Sequence, residues 1–407
     1  MTTRHKHPLP RFILLYAALF GGFGFFSPFL PAFLASRGLQ PEALGLVLGA
    51  GTALRLVCGL LAGRLADARD AFRAELAIFA VLAAAAALLY VPTHVPWQLA
   101  AISLLQAAAL APLVPLADAL ALAAASGPNG SRGVFEYGSV RGAGSAAFIA
   151  GMLLAGEAVA RYGLTATLWL GAVCLLAASL CAPLVPQLRA PAPARRQKIF
   201  ARGSLALLRR RSFLLVVLVA ALVLGSHAMH DSFVVIRWSE AGIGAPTISV
   251  LWSESVAAEV LVFFLVGPWL LRSLGPAGAM TLAALAGALR WSVMAQTVLV
   301  PILALIEPLH GFTFALLHLA CMRLIAQIVP SGMAGTAQAL YGLVGVGGAT
   351  ALLTVCSGWL YARFGAAGFW AMALLCLAAL PAIWMLQRSL CESSAIRARA
   401  PHHLFPR

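Results

Sequence analysis

Charge is what this 407-residue sequence has least of. Asp, Glu, Lys and Arg make up 10% of it, against 62% hydrophobic residues. A water-soluble domain carries roughly 25% charged residues, so this composition cannot cover a soluble surface. Long hydrophilic stretches are nearly absent too. The only extended one is 187–211, too short for a soluble catalytic or sensory domain. The seven cysteines (58, 174, 181, 321, 356, 376 and 391) contain no CxxC pair, which argues against a disulfide framework or a zinc-finger-like site. The histidines form no HExxH or similar compact set, so no metal and no cofactor is expected.

What the sequence does have is apolar runs near 20 residues along its whole length, as bilayer spans require. Backbone groups facing lipid must pair internally, so spans are helices or closed barrels. These runs are continuous and rich in Ala and Leu instead of alternating, which selects helices. Spans are expected near 12–35, 43–62, 74–91, 97–124, 135–157, 164–186, 212–236, 247–270, 277–296, 299–325, 336–361 and 367–387. The first follows a basic stretch but is too long for a signal peptide and lacks an A-x-A cleavage pattern, so it reads as the first helix. The expected fold class is an all-α membrane protein of twelve transmembrane helices in two six-helix halves. These are 1–186 and 212–387, joined by a cytoplasmic basic linker at 187–211 and followed by a cytoplasmic tail at 388–407.

The net charge of +15 would point to nucleic acid in a soluble protein, but here its distribution accounts for it. With the N-terminus in the cytoplasm, only Arg37, Arg161, Arg237 and Arg363 of the 28 Lys and Arg fall in outer loops. Arg55, Arg141 and Arg290 lie within spans, and all the others face the cytoplasm. That is the positive-inside pattern with both termini cytoplasmic. The runs Arg195-Arg196-Gln197-Lys198 and Arg209-Arg210-Arg211 suit a linker beside anionic headgroups. The expected partners are the bilayer, a small-molecule substrate and protons, with no nucleic acid, and the expected state is a monomer in a cell inner membrane.

Compared at an offset of 204, the halves match. Gly38-Leu39 meets Gly242-Ile243, Gly63 meets Gly267, and Arg55 falls on Glu259. Parallel six-helix halves are how major facilitator transporters are built, with the substrate between halves near the midplane. The stretch Gly63-Arg64-Leu65-Ala66-Asp67-Ala68-Arg69-Asp70-Ala71-Phe72-Arg73 resembles the cytoplasmic signature of that superfamily, roughly G-x-L-A-D-R-x-G-R-R. Ala68 and Asp70 depart from it. Gly63, Asp67, Arg69, Arg73 and Arg55 are therefore the expected gating residues. The counterpart, Gly267 to Gly275, keeps the glycines and Arg272 but has Leu271 where the acid would stand.

A charge at the bilayer centre costs about 2.5–3.5 kcal/mol on insertion scales, so each one inside a span is a functional hypothesis. The candidates are Arg55, Asp118, Arg141, His227, His230, Asp231, Glu254, Glu259, Arg290, Glu307, His310 and His318. Asp118 follows Pro112-Leu113-Val114-Pro115, prolines that free backbone groups and are tolerable only in an interior or cavity wall. Arg141 lies among the small residues Gly138 to Ser145, which leave its guanidinium reachable for a carboxylate or a hydroxylated ligand. A plain Asp118–Arg141 bridge is the structural alternative. Glu259, Arg290 and His310 lie on successive spans. Burial favours a carboxyl's protonated form and a nearby guanidinium its ionised form, so moving one past the other switches protonation. Glu307 and His310 are three apart, and His227, His230 and Asp231 cluster in the seventh span. His227 and His318 read most simply as satisfied structural histidines. Glu254, about 140° round the helix from Glu259, faces elsewhere.

Several stretches resemble the phenylpropionate permease family of the major facilitator superfamily. They are Leu309-His310-Gly311-Phe312-Thr313-Phe314, His318-Leu319-Ala320-Cys321-Met322-Arg323, Leu251-Trp252-Ser253 with Ala258-Glu259, Arg290-Trp291, Pro112 to Ala119, and Tyr137-Gly138-Ser139-Val140-Arg141. That family is similar in turn to the lactose permease group of proton symporters. The resemblance implies substrate binding at Asp118, Arg141, Glu259 and His310, and proton coupling through Glu259, Arg290, His310, Glu307 and His230. Lactose permease carries a glutamate one turn after the histidine, where Thr313 stands here, which leaves Glu259 as the proton carrier. Glu307 and His230 fall where it has a lysine and an aspartate, an inter-helix pair of reversed polarity.

The reading is a proton-coupled symporter, not an enzyme, that imports a small organic substrate by alternating access. The resemblance suggests an aromatic monocarboxylate such as phenylpropionate, while sugars or nucleosides suit an acid–arginine pair equally. A drug–proton antiporter is the alternative within transport. A membrane-embedded enzyme or sensor would need a clustered catalytic set that the sequence lacks.

Overall fold

A computed structural model of the protein describes residues 8–126, 135–187, 206–330 and 332–399, with the side chains of 393–399 left aside. Most of the expected linker and the end of the tail lie outside these residues. Among the described residues every regular element is helical. Ten segments are long and apolar enough to cross a bilayer. The first seven are Leu9–Ser36, Pro41–Arg69, Phe72–Leu89, Pro96–Ala125, Tyr137–Tyr162, Thr165–Leu184 and Arg211–Glu240, within a few residues of expectation. Val300–Ile328 forms the tenth span.

Two segments are of double length, Ala245–Gln296 with 52 residues and Ala334–Glu392 with 59. At 1.5 Å per residue the shorter would be about 78 Å long, more than twice the hydrocarbon thickness. Each breaks once, at Gly275 (φ 69°) ahead of Pro276 and at Gly365 (φ 54°). They supply the eighth and ninth spans and the eleventh and twelfth, so the ten segments accommodate twelve passes.

The breaks also repeat between halves. Positive-φ residues follow the first and seventh spans (Gly38, 94°; Gly242, 82°), the second and eighth (Asp70, 50°; Gly275), and the fifth and eleventh (Gly163, 76°; Gly365). Such positions cost glycine nothing and aspartate little, which explains their occupants. A second pattern lies inside the spans. The first span is interrupted between Phe26 and Leu30, the fourth between Leu110 and Leu113, the seventh between Gly225 and Ala228, and the tenth at the 3₁₀ turn Glu307–Leu309. Pro28, Pro112 and Pro308 sit at three of these breaks, each removing a helix hydrogen bond. The interrupted spans are the first members of the four successive triplets, as nested three-helix repeats would arrange them. Three π-helical stretches, Val262–Val266, Phe312–Leu316 and Tyr341–Gly348, lie in the eighth, tenth and eleventh spans.

Among the described residues the halves meet backbone to backbone at one end only. A Cβ added to Gly45 would lie 2.6 Å from Gly358 Cα and 2.8 Å from Thr354 O, and one on Gly49 would lie 2.6 Å from Ala351 O. The fifth and eighth spans touch equally closely, with 2.7 Å from a Gly156 Cβ to Ala245 O. No side chain larger than hydrogen fits this seam, the same device that lets membrane helices approach closely elsewhere. At the opposite end no glycine of the described residues makes such a contact between halves. The molecule is thus closed at the end where the second and eighth spans begin and open at the other.

Candidate functional site

The first half contributes one polar cluster. Beyond the break in the fourth span, Asp118 faces Arg141, whose Nη1 lies 3.6 Å from Asp118 Oδ1. Tyr16 donates its hydroxyl to the same oxygen at 2.5 Å. Phe20, one turn on, stacks on Tyr16 (5.5 Å, 17°) and underlies the Arg141 guanidinium at 5.0 Å. Arg141 and Asp118 keep 38% and 27% side-chain exposure at mid-span depth, so solvent reaches them from inside the molecule. Sequence reasoning found the acid and the arginine. It missed Tyr16 and Phe20, which are merely aromatic in an aromatic-rich span.

In the second half Arg290, fully buried, is the hub. Its Nη2 donates to Glu307 Oε2 at 2.6 Å and lies 3.3 Å from His230 Nε2, and Nη1 donates to His310 Nδ1 at 3.1 Å. The guanidinium also lies over Trp291, 4.6 Å from the ring centre. The tight turn at Glu307–Leu309 lets Glu307 and His310 reach the same arginine. Glu307, with no exposure, is also 3.4 Å from His230 Nε2 and accepts from the Ser255 hydroxyl, a partner with no signature in the sequence.

Because arginine only donates, its contact assigns the His310 tautomer. His230 Nδ1 lies 3.2 Å from Asp231 Oδ1, while its Nε2 stands between the Arg290 donor and Glu307 Oε1. His310 accepts at Nδ1, so its Nε2–H points at Glu259 Oε2, 3.4 Å away. A continuous polar line therefore runs from Asp231 through His230, Arg290 with Glu307, and His310 to Glu259. Its two ends are the open parts, Asp231 at 54% and Glu259 at 29% side-chain exposure. Aromatic faces border it: Phe314 stacks on His310 (5.5 Å, 13°), Trp252 lies 4.9 Å from His230, and His227 meets Trp291 edge-on at 5.2 Å.

Arg141 of the first half lies within electrostatic reach of Glu259 of the second. Arg290 neutralises Glu307 and Arg141 faces Asp118, while the near neighbours of Asp231 and Glu259 are His230 and His310. Between them the clusters offer one part-exposed guanidinium at Arg141, a part-exposed carboxylate at Glu259, and aromatic surface, suited to a small amphipathic ligand.

Other expected residues are not brought into this site. Arg55 has an exposed side chain facing Tyr90 and, among the described residues, makes no ion pair with Glu259. Nor does Asp67 pair with Arg69 or Arg73 there. Arg73 instead donates to Gln187 Oε1 at 2.6 Å and to the carbonyls of Pro183 (3.1 Å) and Val185 (3.0 Å), while Gln187 Nε2 donates to Asp70 O at 2.6 Å. The signature loop is tied to the end of the sixth span, within one half. Gly63 faces open space. Glu254 lies apart from Glu259, in the electrostatic range of Glu307.

Residues 10–372 match the MFS_1 like family. The chain is 36% identical over 381 residues to a probable 3-phenylpropionic acid transporter of Escherichia coli strain K12, covering 91% of this chain and 95% of that protein. It is 25% identical over 354 residues to a maltose permease of Geobacillus stearothermophilus, covering 87% and 88%. The crystal structure of the nucleoside transporter NupG superimposes with a TM-score of 0.78 over 94% of this chain and 99% of that one, at 16% identity, a likeness of fold.

Proposed function

The chain belongs to the MFS_1 like family and is a multi-pass secondary transporter of the major facilitator fold, and we propose that it imports a small aromatic monocarboxylate together with a proton. The observation that carries this reading is Glu259: a part-exposed carboxylate within electrostatic reach of Arg141, beside a neutral His310 whose other nitrogen is held by Arg290. A carboxylate so placed can take up a proton, and the state of the Arg290 line determines how readily it does so. Arg141 supplies the cation for an organic anion, and Phe20 and Phe314 supply faces for its ring. The 36% identical relative, named for 3-phenylpropionic acid, points to the same ligand class.

The open end, which carries Arg64, Arg69, Arg73 and Arg323, faces the cytoplasm of a bacterial inner membrane, and the glycine seam closes the outer side. Substrate and proton enter together when the seam parts, bind at Arg141 and Glu259, and leave through the open end.

Proteoliposome uptake of labelled 3-phenylpropionate, with external pH recorded, tests this directly. Symport alkalinises the outside; acidification would instead mean antiport. Glu259→Gln is expected to abolish accumulation against a gradient while sparing counterflow, and accumulation by that variant would put the coupling elsewhere. A polyhydroxylated ligand is the second reading, favoured by Asp118 as an acceptor beside the Arg141 donor and tested by competition with maltose and nucleosides.

A further inference from the structure

All three π-helical stretches of the described residues lead to one histidine outside the site above. His318 follows the second of them, Phe312–Leu316, by two residues. Phe263 of the first lies with its ring 6.4 Å from the imidazole at 28°, and Tyr341 opens the third. Tyr341 Oη is 3.4 Å from His318 Nδ1. Inserted π turns frequently mark functional positions, and three converging from different spans is more than packing requires. His318 stands eight residues beyond His310 in the tenth span, about 12 Å nearer the open end. It is part-exposed, and Phe263, against which its ring lies, stands one turn beyond Glu259 in the eighth span.

A proton leaving Glu259 towards the open end has three groups around it. His310 cannot accept it, because Arg290 occupies Nδ1 and Nε2 already bears hydrogen. Arg141 is always protonated. His318 remains. Tyr341 Oη stands at hydrogen-bond distance from Nδ1. When Nδ1 carries the imidazole hydrogen and donates it to that oxygen, Nε2 is left bare. The groups facing His318 are thus Glu259 from the eighth span, Tyr341 from the eleventh and Cys321 from its own.

We propose that His318 receives the proton from Glu259 and releases it at the open end, with Tyr341 as the positioning residue that keeps Nε2 free. The Glu259 carboxyl gives its proton through water to Nε2, leaving carboxylate and imidazolium. The imidazolium then passes that proton to water at the open end, and Nδ1–H stays bonded throughout. This inference rests on the coupled-uptake reading, and its test separates the two.

In proteoliposomes with labelled 3-phenylpropionate, His318→Asn is expected to keep counterflow within roughly twofold of the wild type. Proton-driven accumulation by the same variant falls about tenfold or more, the loss expected when a proton-transfer group is removed. Parallel loss of both activities would reduce His318 to a structural role, and unchanged accumulation would route the proton elsewhere; either overturns the proposal. A wild type that accumulates the probe without moving protons would instead refute the coupling. Nitrogen NMR of histidine-labelled protein needs no substrate. The signal lost in His318→Asn is expected as the Nδ1–H tautomer in the wild type and as a mixture in Tyr341→Phe. An Nε2–H tautomer in the wild type overturns the proposal.

Discussion

Replacing Glu307 by glutamine tests whether the Arg290 hub is held by charge. Both side chains are wholly buried, and among the described residues Glu307, 2.6 Å away, is the one carboxylate paired with this guanidinium. Removing one partner of such a pair costs about 3–5 kcal/mol, because the remaining charge is left buried and unpaired. The glutamine oxygen can still accept from Arg290 and Ser255, which places the expected loss near the lower figure, about 3 kcal/mol. Adding Arg290→Gln removes the orphaned charge, so the double variant should recover about 2–3 kcal/mol of coupling relative to additivity. Unfolding in mixed detergent and dodecyl sulfate micelles, followed by tryptophan fluorescence, gives the four corners of the cycle. A single variant that loses less than about 1 kcal/mol, or a double variant that is simply additive, would refute the view that an ion pair organises this half.

Three further outcomes follow from the geometry. Gly358→Leu inserts a Cβ 2.6 Å from Pro41 O, and overpacking of about 1–3 kcal/mol against the closed state shifts population roughly 5- to 150-fold towards opening; external alkylation of a cysteine introduced at Ser249 should accelerate, and an unchanged rate would mean that the seam is not the closure. Arg141→Lys trades a planar fork lying over Phe20 for a point charge, so initial uptake should fall about tenfold or more, whereas wild-type uptake would remove Arg141 from the site. Tyr16→Phe deletes the donor to Asp118 Oδ1 and about 0.5–1.5 kcal/mol with it, read as a rise in KM with kcat little changed; a KM equal to wild type would make Tyr16 a bystander.

Ionisable groups inside spans were legible in the sequence because lipid makes each of them costly, and every residue of the Arg290 line was singled out on that ground. Their pairing was less legible. Glu307 and His310 reach one arginine because Pro308 tightens the helix into a 3₁₀ turn, and spacing on an ideal helix does not forecast that. Tyr16 and Ser255 complete the two clusters with ordinary hydroxyls, which carry no sequence penalty and so no signal. Arg55 and Glu259 correspond in the repeat, yet one faces Tyr90 and the other His310, since equivalent depth does not set the direction of a side chain. The partners of the signature loop were not legible for a related reason. Arg73 finds its acceptors in backbone carbonyls, which every sequence has and no motif records.

The glycine seam has a consequence for throughput. A carrier cycles no faster than it climbs out of the deeper of its two resting wells. Gly45 against Gly358 and Gly156 against the eighth span hold the closed end by dispersion between backbones, without a buried ion pair spanning the contact among the described residues. Each atomic contact of that kind is worth only about 0.1–0.2 kcal/mol. The contact can be given up gradually as the surfaces part, without a single large electrostatic step. A seam made of absent side chains thus avoids a deep electrostatic well at the closed end, from which a carrier would be slow to escape.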